Sequence, residues 1–588
     1  MQTGHRQYLL AYLLALPIAI AAALLQPIWN PIDEAAHFDL IDQYAHGVPA
    51  AVSTAMRPET VSLMRVHGVN PGVQLAMPPQ TFVSPPTGVS EHARAVWLYR
   101  HIWQYSDEAF EPPLYYLAAV PFWLAGDALS GPTGALYAVR LLNAFLYALL
   151  APITLALCRL LLPTARRAPW LAAGLAAAMP GSVYNGTHVS NDGLATVGGS
   201  GLLLFAAWRS SRGWGSRSSL LAGALLGVAL LVKPTIGGIA VAIVVAMLIS
   251  PTSTMTARLA HVALAASGSA AVFLPWLLAN RLLFGSFTQF REPQSLLTYR
   301  LVPPQPVDLL QQLQQLLAVS FDFWGLGLFA LVMVILSVFA IPGIARLLLE
   351  KPGGAGRLAV AVCLAGLAGQ AAFAYVVPLL AGSGSPSPGR YYYPALAGAF
   401  ALLVAGWWQY RLPRPAAIAL VGIALLSLAA GLPGRVVTDG GHPVSRFGDP
   451  APGASSTGLR GQAAANGFTV QVDAVRYDAT TQALWLHVIA ANQSATEPVE
   501  WTPTPRLILD GSAVAVARLS YGFTADTLAP GDAQTGWVAV PVERAQLAAA
   551  RSIAVSFSDV ADQGYQVLTD LQVTLCSGTG QTLSGSAC

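Results

Sequence analysis

The chain is a series of apolar runs separated by short polar turns, followed by a segment with a different rhythm. The first run extends from Tyr8 to Trp29, and a membrane-spanning helix needs about 20 such residues. His5 and Arg6 precede it, which places that end in the cytoplasm. Small residues at Ala21, Ala22 and Ala23 would also suit a cleaved signal peptide. The run is long for a signal core and continues directly into Asp33 and Glu34, which favours a retained helix. Further spans are expected at 134–162, 170–186, 193–209, 219–233, 235–250, 259–279, 323–345, 358–380, 391–410 and 415–432. The total is about eleven. With these spans every inner loop carries Lys or Arg, among them Arg166, Arg209, Arg258, Arg346 and Arg411, as the positive-inside rule expects. The apolar stretch 112–126 is short, contains Pro121 and is followed by Asp127. It reads as an interfacial helix, and counting it as a span would invert every later loop.

The segment 30–111 between the first two spans is external and rich in Pro and polar residues. A loop of that length with little structure of its own is usually functional. Within it, Ser90 to Tyr105 suits an amphipathic helix lying on the membrane. After Gly434 the composition changes. Residues 435–465 are rich in Gly, Pro and Ser, as a linker is. From 466 to 588 the period becomes two, as in Phe468-Thr-Val-Gln-Val and Leu571-Gln-Val-Thr-Leu. That alternation, with turn signals such as Ala529-Pro530-Gly531-Asp532, predicts an external antiparallel β-sandwich. The fold class is therefore a mainly α polytopic membrane domain (1–434) carrying a C-terminal all-β sandwich. The sandwich shows no convergent catalytic set, and a spacer and a glycan-binding module remain equally open roles for it.

Composition agrees with the pattern. Of 588 residues, 54% are hydrophobic and only 10% charged, against about 25% charged in soluble proteins. Net charge is +3 with Lys and Arg dispersed, so no basic block addresses nucleic acid. Cys158 and Cys363 lie in apolar runs and read as core residues. Cys576 and Cys588 could pair if the C-terminal end faces an oxidising compartment.

The topology places several polar features on one side of the membrane. These are Asp33, Glu34 and His37 after the first span, Glu111 and Tyr115 around Pro112-Pro113, Asn191-Asp192, Lys233, Trp324, and Arg390-Tyr391. Carboxylates at a membrane edge cost desolvation energy and tend to mark function. Such a carboxylate can take a proton from an acceptor hydroxyl. Lys233 and Arg390 can bind a phosphate and offset charge developing on it. Each residue also has a plainer role. Asp33 and Glu34 could cap the next helix, Asn191-Asp192 could do the same, and Lys233 could snorkel to the interface. Asn185-Gly-Thr187 and Asn492-Gln-Ser494 match glycosylation acceptors, a pattern frequent by chance.

Taken in order, Pro31-Ile-Asp33-Glu34-Ala-Ala-His37-Phe38, Glu111-Pro-Pro-Leu-Tyr115-Tyr116, Arg140-Leu-Leu-Asn143, Ser190-Asn191-Asp192, Lys233-Pro-Thr, Phe323-Trp324-Gly325 and Gly389-Arg390-Tyr-Tyr-Tyr-Pro394 resemble a family of bacterial integral-membrane proteins of unassigned function. That family is placed in the GT-C glycosyltransferase superfamily. In layout the chain is similar to protein O-mannosyltransferases and lipid A aminoarabinose transferases, over roughly residues 8–430. The resemblance implies a polyprenyl-phosphate sugar donor and a cell-envelope glycan, lipid or protein acceptor outside the cytoplasm, in the bacterial inner membrane. Asp33 becomes the expected general base and Glu34 its partner or a metal ligand. Carried over in the same way, Lys233 and Arg390 become candidate phosphate binders. His37, Glu111, Tyr115, Asn191, Asp192, Trp324 and Tyr391 are further expected substrate or lipid-phosphate contacts, with a structural hydrogen-bonding role open for His37. Some relatives hold a divalent cation with carboxylates and others do not. Oxygen ligands such as Asp33, Glu34 and Asp192 would suit Mg²⁺ or Mn²⁺. Two other functions compete: a transporter or flippase of a lipid-linked precursor, and a non-catalytic glycan-binding scaffold. A transporter should place ionisable residues near mid-membrane and often shows internal repeats. Here the spans are mostly Ala, Leu, Gly and Val, and polar groups gather at one face.

Overall fold

The computed structural model describes residues 2–26, 28–29, 33–48, 54, 56–60, 63, 106–251, 254–285, 287, 327–349, 354–381, 389–410, 422–423, 426, 455–479, 482–495, 499–501, 505–516, 519–521, 527–561 and 567–577. The protein is a bundle of apolar helices with a C-terminal β region. The first helix, α1 (Gln2–Leu25), buries Ala11, Ala15, Ala19 and Ala22 and exposes Leu9, Leu13 and Leu14. Small residues inward and leucines outward is the arrangement expected where the surrounding solvent is lipid and close helix approach supplies the packing energy. Leu129 and Leu282 are 87% and 85% exposed, a state that water would penalise. Among the described residues, four helical stretches are long and apolar enough to cross a membrane: His5–Leu25, Leu114–Leu161, Met255–Phe284 and Ala355–Ala374. The chain is a membrane protein with a mainly helical body.

After α1 comes a short helix, α2 (Glu34–Ala45), and then α3 (Leu114–Tyr147). The latter is not one rod. Ser130 (φ −152°, ψ 26°) and Gly131 (φ 64°, ψ −162°) leave the helical region, so 114–129 folds back against 132–147. A Cβ on Gly126 would lie 2.4 Å from the Gly134 carbonyl oxygen, and Asn143 Nδ2 donates to the Tyr115 hydroxyl at 2.9 Å. The expected interfacial helix at 112–126 is thus the first arm of a helical hairpin. The second arm continues through α4 (Leu150–Leu161). The expected span 170–186 is two helices, α5 (Ala168–Ala178) and α6 (Pro180–Thr187), because Met179 is extended and Pro180 starts the second.

The bundle continues with α7 (Asp192–Arg212), α8 (Ser216–Leu230), α9 (Ile239–Leu248), α10 (Met255–Phe284), α11 (Gly327–Leu349), α12 (Ala355–Ala381) and α13 (Leu396–Trp408). Close approach again sets the packing: a Cβ on Gly223 of α8 would sit 1.9 Å from the Ala265 carbonyl oxygen of α10. The bundle has two distinct ends. At one, Arg159 lies over the Tyr8 ring at 5.2 Å, Arg258 Nη1 donates to the Leu248 carbonyl at 2.7 Å, and Gly356 abuts Leu161. At the other lie Gln26, Arg140 and Val189. Arg140 and Arg159 are separated by about 28 Å of helix at 1.5 Å per residue. Most of the expected span 415–432, all but 422–423 and 426, and Trp324 fall outside the described residues.

The C-terminal region forms two antiparallel sheets. One runs in the order Cys576–Ser577, Leu459–Ala465, Phe468–Asp478, Ala483–Asn492, Ala533–Pro541, Leu519–Tyr521. The other runs Ser512–Val516, Arg506–Leu509, Ile553–Ala561, Val499–Glu500, Thr527–Leu528. Phe468, Trp501 and Phe557 meet in a shared core. Strand Leu459–Ala465 lies in what the composition marks as linker, so the β region starts earlier than its Gly and Ser content suggests. Cys576 is disulfide-bonded, whereas Cys158 and Cys363 are free and buried; Cys588 is outside the described residues. Asn185 and Asn492 are buried side chains that hydrogen-bond within the fold, so neither presents an acceptor for glycosylation.

The fold-back at Gly131 uses a backbone region essentially restricted to glycine. Gly131→Ala is expected to lower stability by about 1–3 kcal/mol, read as a fall in the thermal unfolding midpoint in detergent. Gly198→Ala, whose new Cβ meets nothing within 4 Å, should leave it unchanged or slightly raised; equal effects of the two would contradict the hairpin geometry.

Candidate active site

The site is built where α1 ends, α2 begins and three turns arrive from distant parts of the chain. Its first part is a fully buried ion pair. Arg140, on the second arm of the α3 hairpin, donates from Nε to Glu34 Oε1 at 2.8 Å and from Nη2 to Oε2 at 2.6 Å. Its Nη1 reaches the Gln26 carbonyl at the end of α1 at 2.8 Å. Glu34 Oε1 also accepts from the Val189 backbone N–H at 2.9 Å. Planar, bidentate geometry of this kind compensates the desolvation of two charges. One guanidinium therefore ties α1, α2, α3 and the turn before α7 to a common point.

Asp33 immediately precedes Glu34. Its backbone adopts the left-handed conformation (φ 56°, ψ 13°), which Asp tolerates better than most side chains. It makes no side-chain cap on α2. Its Oδ2 instead accepts from Arg390 Nη2 at 2.7 Å. Arg390 sits in the 3₁₀ segment Gly389–Ala395, and its Nε lies 3.6 Å from Asp192 Oδ2. Asp192 opens α7, and its Oδ1 accepts from Lys233 Nζ at 2.8 Å. Lys233, at the turn after α8, also donates to Asn191 Oδ1 at 2.8 Å and lies 3.8 Å from Glu111 Oε1. The Tyr391 ring is 6.0 Å from the same ammonium. Two cations and three carboxylates thus form one network, closed from behind by Gln370 of α12, whose amide donates to the Thr235 carbonyl at 2.6 Å and to the Tyr391 carbonyl.

Exposure separates the carboxylates. The Asp33 side chain is 36% exposed, Glu111 7%, Asp192 4% and Glu34 0%. Burial opposes the Lys233 charge, but Asp192 and Glu111 outweigh it and hold the ammonium above its usual range. The same balance, with Asp33 and Asp192 as partners, keeps the Arg390 guanidinium charged. Burial pushes the Glu111 carboxyl up despite Lys233, and Glu111 Oε2 has no hydrogen-bond partner among the described residues.

The remaining expected residues divide clearly. His37 is buried, stacks on Tyr116 and shares a 2.8 Å hydrogen bond with its hydroxyl through Nδ1. Burial and then Lys233 push its ring well below the usual range, so it is a neutral structural bonder. Tyr115 is fully buried against Asn143. Glu34, expected with Asp33 as a catalytic group, is sealed by Arg140 and presents no oxygen to solvent. Arg140 and Asn143 support the site from inside an apolar helix, and an ionisable group in such a place was the signal available for Arg140. Glu108, 3.9 Å from His37 Nδ1, and Gln370 had no comparable signal.

The three oxygens expected to hold a divalent cation do not share a centre. Asp33 faces Arg390, Glu34 faces Arg140, and Asp192 faces Lys233 and Arg390. Among the described residues no group of three His, Cys, Asp or Glu has the arrangement of a metal site. A divalent ion there would meet two fixed cations, so this donor set does not fit one.

No family model and no curated protein matches the chain. Among solved structures, it is similar to ArnT from Cupriavidus metallidurans bound to undecaprenyl phosphate, at 15% identity and TM-score 0.42 over 73% of this chain and 64% of that one. It is also similar to the Archaeoglobus fulgidus oligosaccharyltransferase in complex with Zn and sulfate, at 14% identity and TM-score 0.35 over 75% of this chain and 53% of that one. The same enzyme, AglB, in complex with an inhibitory peptide and a dolichol-phosphate, gives 12% identity and TM-score 0.35. The chain thus spans less than two thirds of the length of these neighbours. The likeness is one of arrangement, and the functional reading rests on the site's own geometry.

Removing one member of a buried ion pair strands the other charge and costs about 3–5 kcal/mol. Glu34→Ala is expected to show that loss in thermal unfolding, and a near-neutral result would contradict the clamp. On α2, Asp39 accepts from the Arg57 N–H and from Gln43 Nε2, each at 2.7 Å, and burial pushes its carboxyl up from about 3.8 to about 7. The folded chain then holds a proton that the unfolded chain releases between those values. This contribution to stability is complete below about pH 4 and fades as pH rises through about 7. Unfolding midpoints of Asp39→Asn should depend less on pH in that window than those of the parent; superimposable profiles would remove Asp39 as the source.

Proposed function

We propose that the chain is an inverting membrane glycosyltransferase of the GT-C kind, moving a sugar from a polyprenyl-phosphate donor to a hydroxyl of a cell-envelope acceptor on the external side. The observation that carries this reading is the pairing of Lys233 and Arg390 on Asp192 beside Asp33, the one markedly exposed carboxylate of the network. The sidedness is supported by the gathering of Arg159, Arg258 and Arg357 at the opposite end of the bundle, since basic residues favour the cytoplasmic face. With the fold-back arm of α3 kept at the interface, the about eleven spans expected from hydropathy leave the β region outside.

Each residue has a step. Lys233 and Arg390 bind the donor phosphate; Asp192 orients them and Asn191 steadies the ammonium. An arriving phosphate competes with Asp33 for Arg390, which frees the Asp33 carboxylate. Asp33 then takes the proton of the acceptor hydroxyl. The acceptor oxygen bonds to the anomeric carbon as the bond to the phosphate oxygen breaks, and the departing polyprenyl phosphate keeps that electron pair against Lys233 and Arg390. Glu34 and Arg140 hold Asp33 in place. The β region, with its core separate from the site's residues, is a spacer or a glycan-binding module.

The test is sugar transfer from a labelled polyprenyl-phosphate sugar in proteoliposomes. Asp33→Asn should lower kcat by about 10²–10⁴ with little change in donor KM. Arg390→Lys should raise donor KM, because a fixed fork is replaced by a point charge. A chain lacking residues 435–588 should retain measurable transfer. Full activity of Asp33→Asn removes the proposed base, and a dispensable Asp33 combined with an indispensable β region favours the scaffold reading.

A further inference from the structure

The end of the bundle remote from the site carries a second feature. Between α1, α4 and α7 lies an open, apolar groove of about 620 Å³. It is lined by Ile153, Gly201, Leu204 and Phe205, together with Tyr8, Arg159 and Trp208. A Cβ added at Gly201 meets nothing within 4 Å. From Gly201 to Trp208 the groove follows α7 for about 10 Å, along the helix direction that leads toward the basic end. Charge is concentrated where it opens. Arg159 lies over the Tyr8 ring at 5.2 Å, and Arg212 lies over the Trp208 ring at 4.9 Å. Both guanidiniums are thereby held at the rim by aromatic faces. The groove's walls fit an alkyl chain and its rim fits an anion.

We propose that this groove is a binding site for one acyl chain of an anionic phospholipid from the leaflet at the basic end, with the phosphate held by Arg159 and Arg212. It is separate from the donor-phosphate network at Lys233 and Arg390, and it does not depend on the transfer reaction. Basic pockets between membrane helices favour anionic headgroups, each nearby cation contributing about 1 kcal/mol.

The experiment uses the full chain in a neutral detergent, titrated with phosphatidylglycerol or phosphatidylcholine and read by native mass spectrometry and by the unfolding midpoint. Phosphatidylglycerol should be retained selectively and should raise the midpoint. Arg159→Gln should weaken that retention about fivefold, which corresponds to one headgroup contact. Gly201→Leu should fill the groove and abolish retention while the protein stays monodisperse. Arg357→Ala, an exposed cation at the same end but outside the groove, should bind as the parent does. Equal retention of the two lipids, or unchanged retention in Gly201→Leu, would overturn the proposal. An equal loss in Arg357→Ala would reduce it to general surface charge and overturn it as well.

Discussion

The structure depends on one buried contact, the bidentate pair between Arg140 and Glu34. Two charges withdrawn from water are tolerated only if their hydrogen-bonding capacity is met, and here it is met by four segments. Gln26 closes α1, Glu34 opens α2, Arg140 comes from the α3 hairpin, and Val189 comes from the turn leading to α7. Because none of these can move without breaking a charged bond, the residue before Glu34 is fixed too. That residue is Asp33, held in a left-handed conformation with its carboxylate partly open to solvent. The clamp thus fixes the position of a carboxylate at a helix start.

The second constraint is charge balance at low dielectric. Lys233 and Arg390 share Asp192, and Glu111 and Asp33 flank them. Each ion is the reason its neighbour can remain charged in an apolar bundle. In the proposed reaction, this nearly neutral set takes up a phosphate by exchanging one anion for another, with Asp33, the most exposed of its carboxylates, as the anion exchanged. Each of its carboxylates is turned toward Lys233 or Arg390, which is why they do not converge on a common centre.

Much of this was legible in the sequence, and the limits have physical causes. Asp33, Asp192, Lys233 and Arg390 sit in polar interruptions between apolar runs, so hydropathy and the positive-inside pattern point to them together. Partnership was not legible: Arg140 and Glu34 are 106 positions apart, and Arg390 and Asp33 are 357 apart, and no local period encodes such contacts. The adjacent acids at 33 and 34 carried different expected roles, base and partner, but their opposite surroundings were not legible: Glu34 faces Arg140 in the interior and Asp33 faces Arg390 near solvent. The break between 112–126 and the span from 134 was legible from Asp127, but the packing of the two arms against each other as a hairpin about Ser130-Gly131 was not, because both arms are apolar. The early start of the β region was masked by its Gly, Ser and Ala content. Trp324 and the stretch 64–105 lie outside the described residues.

The central claim is that Lys233 and Arg390 form the phosphate site that serves Asp33. Its most direct test is an experimental structure of the full chain in lipid with a bound polyprenyl phosphate. The account requires the phosphate within hydrogen-bond distance of Lys233 Nζ and the Arg390 guanidinium, with Asp33 released from Arg390 and facing the acceptor side. A phosphate bound elsewhere, with the Asp33–Arg390 and Asp192–Lys233 pairs intact, would contradict it.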